Sequence, residues 1–277
     1  MEFPPYAVIE KAVGETPLAA MESWRLMQNP EYIDVPLTYA GRLDPMASGK
    51  LLVLIGEECK QKDRYLALDK TYDFSVLLGI GSDTHDVLGR LHVSPRQGLG
   101  YKQGDNLERQ LRTIAINLTG DIELPYPHFS SKTVQGKPLH TWTLEGRLDE
   151  IQIPTKASTI YSLELSSIET RSRTEICDQA RAKIDTIPKV TDASKTLGND
   201  FRRADVRKDW EEIKNNCWTS DVGQCWPPDE YVIAHFTCSA SSGTYMRTLA
   251  KLIGEKLDPA RPSLAWSIHR SAIHGVG

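Results

Sequence analysis

The chain has few cysteines, no long apolar run, no repeat or low-complexity tract and no excess of basic charge. Its five cysteines, Cys59, Cys177, Cys217, Cys225 and Cys238, are odd in number, widely spaced and form no CxxC pair. Neither a disulfide framework nor a zinc site follows from such spacing, and reduced thiols are expected. The longest apolar stretch, Leu51 to Ile55, is far below the roughly 18 residues that span a bilayer. At the N-terminus, Glu2 and two prolines stand where a secretory signal has basic and then apolar residues. No membrane attachment and a cytoplasmic location are therefore expected. A formal net charge of -4 argues against attraction of nucleic acid by the whole surface, while a local basic face remains compatible with it.

What is present is the composition of an ordinary globular protein: 40% hydrophobic and 25% charged residues over 277 positions, enough for one mixed α/β domain with insertions. A short strand around Ala7 to Glu10 is followed by a helix starting at Thr16-Pro17, a good N-cap before a residue suited to the first helical position. Leu18, Met21, Trp24 and Leu26 are expected on its apolar face. A glycine-bounded loop, Gly41 to Gly49, runs into Leu51 to Ile55, which reads as a buried strand. A basic helix with Lys60, Lys62 and Arg64 precedes a strand over Thr71 to Leu78 and an acidic loop, Ser82 to Asp86. Leu107, Leu111, Ile114 and Leu118 have helical spacing, and Tyr161 to Thr170 alternates as a strand. From about 180 to 228 the composition shifts, with charged helices expected over Ala180 to Ile187 and Ala204 to Asn215, and two Cys-Trp pairs before Pro227-Pro228. This segment reads as an insertion. A strand over Tyr231 to Cys238 and a helix over Thr244 to Leu257 follow.

Asp44 stands out chemically because it lies in a loop bracketed by glycines and fixed by a core strand. In isolation a glycine-flanked aspartate is more often a turn stabiliser than a catalyst. Its neighbourhood reverses that weighting. Gly41-x-Leu43-Asp44-Pro45-x-Ala47-x-Gly49-x-Leu51 resembles the signature of the TruB-type pseudouridine synthases, and further blocks occur in the family's order. Lys11-x-x-Gly14-x-Thr16 is similar to the N-terminal block, with Ala12 where proline is usual. Lys70-x-Tyr72 with Gly79-x-x-Ser82-Asp83-Thr84-x-Asp86-x-x-Gly89 matches the second block. Phe129-Ser130-Ser131-Lys132 with Gln135-Gly136-Lys137 approximates a third, and Cys238-Ser239 with Ser242 to Ala250 and Gly254 resembles the C-terminal block.

The resemblance implies the pseudouridine synthase fold, a central mixed, largely antiparallel sheet flanked by helices with an RNA-binding cleft across it. It implies Asp44, Tyr72 and Arg247 as catalytic residues: the carboxylate acting on a flipped uridine, the aromatic ring stacking on the base, and the guanidinium keeping the carboxylate charged. Whether Asp44 attacks the ribose C1′ or assists a glycal intermediate stays open. Tyr39, Gly41, Leu43, Lys70, Tyr245, Ile268 and Lys132 are implied in substrate binding, with Tyr39 standing where histidine is usual and Ile268 where leucine is. The implied partner is tRNA through its T-arm, the target the T-loop uridine at position 55, with no cofactor, no metal, no obligatory protein partner and a monomeric protein. Only seven residues follow Arg270, so a C-terminal PUA-type RNA-binding domain is expected to be absent.

Phosphate contacts are expected from Lys60, Lys62, Arg64, Lys132, Lys137 and Arg173, and from Arg202, Arg203, Arg207 and Lys208 of the 180–228 segment, whose turn at Gly198 to Arg203 is a candidate RNA clamp. Asp83 and Asp86 read as members of a solvated acidic turn. Rival readings are a guide-dependent synthase, a non-catalytic RNA-binding or RNA-folding protein on the same scaffold, and a glycoside hydrolase using Asp83 or Asp86 as the second carboxylate.

Overall fold

In the computed structural model, which describes residues 3–93, 105–187, 202–216, 219–220, 223–224 and 227–276, the apolar run at 51–55 is the buried end of a longer strand. The chain opens with β1 (Tyr6–Lys11), α1 (Pro17–Leu26), β2 (Leu37–Ala40) and β3 (Ala47–Ile55). The short helix α2 (Lys62–Leu66) leads into β4 (Lys70–Leu78), after which β5 (Ile80–Ser82) and β6 (Leu91–Val93) bracket the acidic loop. Next come α3 (Asp105–Asn117), β7 (Gly120–Pro125), the hairpin of β8 (Thr133–Val134) and β9 (Lys137–Pro138), α4 (Leu139–Leu144) and the long β10 (Thr155–Ser172). Helices α5 (Arg173–Thr186) and α6 (Arg203–Lys214) and the small strands β11 (Thr219–Ser220) and β12 (Gly223–Gln224) precede β13 (Glu230–Ala240), α7 (Met246–Leu257) and β14 (Ser263–Ile273).

Eight strands form one sheet in the order β1-β3-β14-β4-β13-β10-β7, with β2 also paired to β3. Every pairing in it is antiparallel except β3 with β14, where Ile268 lies opposite Ala47 and Arg270 opposite Gly49. That parallel register brings the last strand of the chain against the Asp44 loop. The fold is the mixed, largely antiparallel sheet with flanking helices that the sequence implies.

Period-2 alternation divides the strands between two cores. Tyr72, Phe74, Val76 and Leu78 of β4 and Val232, Ala234, Phe236 and Cys238 of β13 face one side, where Leu249, Ala250 and Ile253 of α7 and Leu107, Leu111 and Leu118 from the α3 region cover them. Leu77, Ile233, Leu264 and Trp266 face the other side, packed by Ile176, Cys177, Ala180 and Ile184 of α5 and Val206, Trp210 and Ile213 of α6. The charged helices of the 180–228 segment are thus seated on the sheet, and Trp210 is fully buried, donating its indole N–H to Val87 O at 3.2 Å. α5 starts earlier than the charge pattern indicates, because Ser172 and Glu175 form a reciprocal capping box. The turn at 198–201 and the pairs Cys217-Trp218 and Cys225-Trp226 lie outside the described residues.

α1 begins as its sequence indicates, with the Thr16 hydroxyl accepting the Ala19 N–H at 3.1 Å. Its inner face differs from expectation. Ala20, Met21 and Trp24 pack on Ile9, Leu51 and Val53, while Leu18 and Leu26 are exposed. The true stripe is Ala20, Met21 and Trp24 at i, i+1 and i+4, and Leu18 and Leu26 fall off it.

Candidate active site

The Asp44 loop is held from beneath by two buried cations. Lys11, 1% exposed, donates from Nζ to Ala47 O at 2.5 Å and to Ala12 O at 2.9 Å. Burial lowers its ammonium pKa to about 8, against the opposing pull of Glu15 and Asp44. Arg270, 2% exposed, donates to Gly41 O (3.2 Å), Arg42 O (2.9 Å) and Lys50 O (3.3 Å), gripping both ends of the loop, and from Nε to the Tyr72 hydroxyl at 3.3 Å. Gly49 is required by the close approach of the β14 backbone, where it pairs with Arg270. Its φ of 103° is left-handed, and a Cβ there would stand 2.4 Å from Arg270 O. Within the loop, Ala47 N–H bonds to Asp44 O at 2.9 Å, so the backbone turns back and presents the Asp44 side chain outward. That side chain is 40% exposed.

Arg247 rises from the first turn of α7 to meet it. The Arg247 Nε lies 2.7 Å from Asp44 Oδ2, off the N–H direction, so the contact is ionic rather than a linear hydrogen bond. The guanidinium plane is fixed instead by two carbonyls: NH1 donates to Thr84 O at 2.8 Å and NH2 to Phe129 O at 3.4 Å. A second carboxylate, Asp86 Oδ2, lies 3.7 Å from Nε. Burial works against the charge on Arg247, but Asp44 and Asp86 together outweigh it and hold its pKa above the ordinary value. Asp86 moves upward, because complete burial outweighs the pull of Arg247 and the Thr84 hydroxyl, which donates to Oδ1 at 2.6 Å.

A cavity of about 380 Å³ opens over this pair, lined by Gly41, Leu43, Asp44, Lys70, Tyr72, Tyr245, Arg247 and Ile268, among others. Eight of the ten residues singled out from sequence therefore meet at one place, contributed by β3, β4, α7, β14 and their loops. Tyr245 packs edge-on to Tyr126 at 5.5 Å between ring centroids, and burial followed by the Asp44 charge raises its hydroxyl pKa. Lys70 is buried, with its ammonium on Leu66 O and Leu68 O. Desolvation and then Arg270 lower its pKa to about 8. It serves the wall of the cavity rather than presenting a charge to a ligand.

Two of the ten do not line the cavity. Tyr39 lies on β2, packed with the cluster of Ile9, Met21 and Val53, and Lys62 Nζ stands 5.4 Å from its ring centroid. Lys132 stands 5.1 Å from the Tyr126 ring centroid, on the rim. The acidic turn is not solvated: Asp86 is 4% exposed, and Asp83 is engaged by Arg202 and by the Arg90 N–H. The turn lines the underside of Arg247, which no charge count reveals.

Most of the expected phosphate ligands are engaged internally. Lys60 pairs with Glu57, Lys137 with Glu145, Arg207 with Asp185 and Lys208 with Glu212, while Arg173 donates to Pro227 O and Arg203 to Ile187 O. Arg42, exposed at the cavity mouth with NH1 on Ser131 Oγ at 3.1 Å, is a candidate that sequence reading passed over. Arg270 was passed over too. Its signal was its place two residues after Ile268, hence on the same face of the strand.

Residues 36–186, more than half of the chain, match the family described as TruB family pseudouridylate synthase (N terminal domain). This span holds Asp44 and Tyr72; Tyr245, Arg247 and Ile268 lie beyond it. The chain is 33% identical over 158 residues to the tRNA pseudouridine synthase B of Caldicellulosiruptor saccharolyticus, covering 57% of this chain and 50% of that protein. It is 32% identical over 168 residues to the protein of the same name from Aromatoleum aromaticum, covering 58% and 48%. Identity to the tRNA pseudouridine synthase 4 of Saccharomyces cerevisiae is 26% over 241 residues, 80% of this chain and 57% of that one. The matched stretches thus span about half the length of these curated relatives. Carrying the family's match through the aspartate loop and the strand that follows it, the chain belongs to the TruB family of pseudouridylate synthases.

Proposed function

We propose that the protein isomerises a uridine of tRNA, the T-loop uridine at position 55, to pseudouridine. The observation that carries this reading is the half-exposed Asp44 carboxylate, ion-paired at 2.7 Å to a buried Arg247 and opening into a cavity walled by Tyr72, Tyr245 and Ile268. A slot that sets the aromatic and apolar walls of Tyr72, Tyr245, Leu43 and Ile268 beside the ion-paired Asp44 and Arg247 suits a single base taken out of its stack. The chemistry breaks the N1–C1′ glycosidic bond, turns the uracil, joins C5 to C1′ and releases the C5 proton to solvent while N1 takes one up. No electron is gained or lost. Asp44 would act at C1′, either by attack or by promoting a glycal, and both routes need the carboxylate ionised, which Arg247 favours. Tyr72, its hydroxyl accepting from Arg270, would stack on the base near the proton that leaves. Arg42 and Lys132 at the rim would take flanking phosphates.

The test is tritium release from a [5-3H]uridine-labelled tRNA transcript, with the product mapped. Wild-type protein is expected to release tritium from the T-loop position, and Asp44→Asn to release none while still binding the transcript. Binding without release by wild type would sink the isomerase reading in favour of a guide-dependent or non-catalytic protein. Release of free uracil would point to a hydrolase instead.

A further inference from the structure

Arg202 occupies the N-cap of α6 with φ 59°, a left-handed conformation that a non-glycine residue keeps only where its surroundings over-determine it. Its surroundings do so on two sides. NH1 lies 2.5 Å from Asp83 Oδ2 and NH2 3.1 Å from Asp83 Oδ1, a bidentate ion pair, and the guanidinium carbon stands 4.6 Å from the Phe129 ring centroid. These two partners belong to the two segments that aim Arg247. Asp83 immediately precedes Thr84, whose carbonyl accepts from Arg247 NH1, and Phe129 itself supplies the carbonyl for NH2. The acidic segment is held again one step further along, where buried Asp209 of α6 accepts from Arg90 Nε (2.7 Å) and from the Leu91 N–H (3.0 Å). Arg202 touches neither Arg247 nor the cavity.

We infer that Arg202 is a positioning residue for the Arg247–Asp44 pair: it clamps together the 83–84 and 129 segments whose carbonyls fix the plane of the Arg247 guanidinium. Because Arg247 meets Asp44 through Nε, off the ideal direction, the pair depends on that plane, and the plane depends on two backbone oxygens from separate loops. A clamp that bridges the loops keeps both oxygens in place when a base enters. It also gives α6, which lies outside the matched 36–186 stretch, a part in the reaction rather than in phosphate binding. The inference rests on the isomerase reading for its kinetic form, but its structural form is independent of it.

The test uses the full chain with Arg202→Ala, Arg202→Lys, Asp83→Asn and the Arg202→Ala/Asp83→Asn pair. Asparagine at 83 keeps one acceptor oxygen for the Arg90 N–H and removes the charge and the second oxygen of the bidentate pair. With enzyme in excess over labelled tRNA, the saturating single-turnover rate of tritium release is expected to fall about tenfold in Arg202→Ala. tRNA affinity and its salt dependence should be unchanged, Arg202→Lys should recover part of the rate, and the double variant should be no slower than the slower single one. Independently of activity, the Nε–H resonance of Arg247 in the free protein, assigned by its loss in Arg247→Lys, should shift or broaden in Arg202→Ala. Weaker, less salt-dependent tRNA binding at an unchanged rate would make Arg202 a phosphate ligand and overturn the inference. A lowered melting temperature with both the rate per folded molecule and the Arg247 resonance unchanged would reduce Arg202 to a stabilising contact and overturn it equally. If wild-type protein releases no tritium, the isomerase reading fails, and the Arg247 resonance still decides the role of Arg202.

Discussion

Beneath the Asp44–Arg247 pair sits a residue whose cost is set by pH. His85 has φ 62° and a buried Nδ1 with no hydrogen-bond partner among the described residues, and burial, reinforced by Lys251 and Arg247, lowers its imidazole pKa to about 3. Lys251, Arg247, His128 and His92 all push in that direction, His128 with its ring centroid 6.3 Å away. An unfolded histidine titrates near about 6.5. Above that pH both states are neutral and the protein has its full stability. As pH falls below it, the unfolded chain takes up a proton that the folded chain refuses, so stability is lost progressively down to about pH 3. Histidines 92 and 128 are shifted in the same direction, so they add to the slope. In His85→Asn, where asparagine accepts the left-handed backbone and does not titrate, the loss of unfolding free energy between pH 7 and 5 is expected to be shallower, by on the order of 1 kcal/mol per pH unit. Equal slopes in calorimetric scans of the two proteins would show that His85 is solvated when folded.

At the level of elements, the sequence was most informative where local rules act alone. The Thr16 cap, the Leu51 to Ile55 strand and the alternation through β4 and β13 are each decided within a few residues, and the structure follows them. The convergence of Asp44, Tyr72, Tyr245, Arg247 and Ile268 was legible only through resemblance, because strand order and the parallel β3–β14 register are tertiary facts that no window contains. Arg270, Lys11 and Asp86 escaped for a related reason. Each is a charged residue in a place where charge usually signals solvent, and each is buried because its partners are backbone carbonyls or another buried charge drawn from distant segments. The charged α5 and α6 carry the same lesson, since their outward ion pairs hide an apolar stripe seated on the sheet. Trp210→Ala would empty a fully buried site between α6, Val87 and Trp266. It is expected to cost about 4 kcal/mol. Denaturant unfolding should show this as a lower midpoint of one cooperative transition; an unchanged main transition with separate early melting of helix signal would mean that α5 and α6 unfold on their own.

The molecule as a whole carries a net charge of -4, yet the proposed substrate is a polyanion. The distribution of paired and exposed cations resolves this. Arg181, Arg207 and Lys214 across the α5–α6 face are tied to Glu211, Asp185 and Asp178, and such pairs present little net field to an approaching phosphate. At the cavity mouth and along α2, whose Leu66 lines the cavity, the cations lie against neutral groups instead: Arg42 on Ser131, Lys132 over Tyr126, Lys62 on Thr38, and Arg64 over Tyr65. Four phosphates neutralised there, at roughly 0.7 to 0.9 counterions released per contact, give a slope of about -3 for log affinity against log salt. Filter binding of tRNA transcript from low to moderate salt is expected to return that slope. Arg42→Gln should lower its magnitude by about one without changing the rate at saturation, because a phosphate contact away from the reacting atoms holds ground state and transition state alike. A slope near twice that value, insensitive to Arg42, would mean that the ion pairs of α5 and α6 open to bind RNA and that the docking face is the helical one rather than the rim of the cavity.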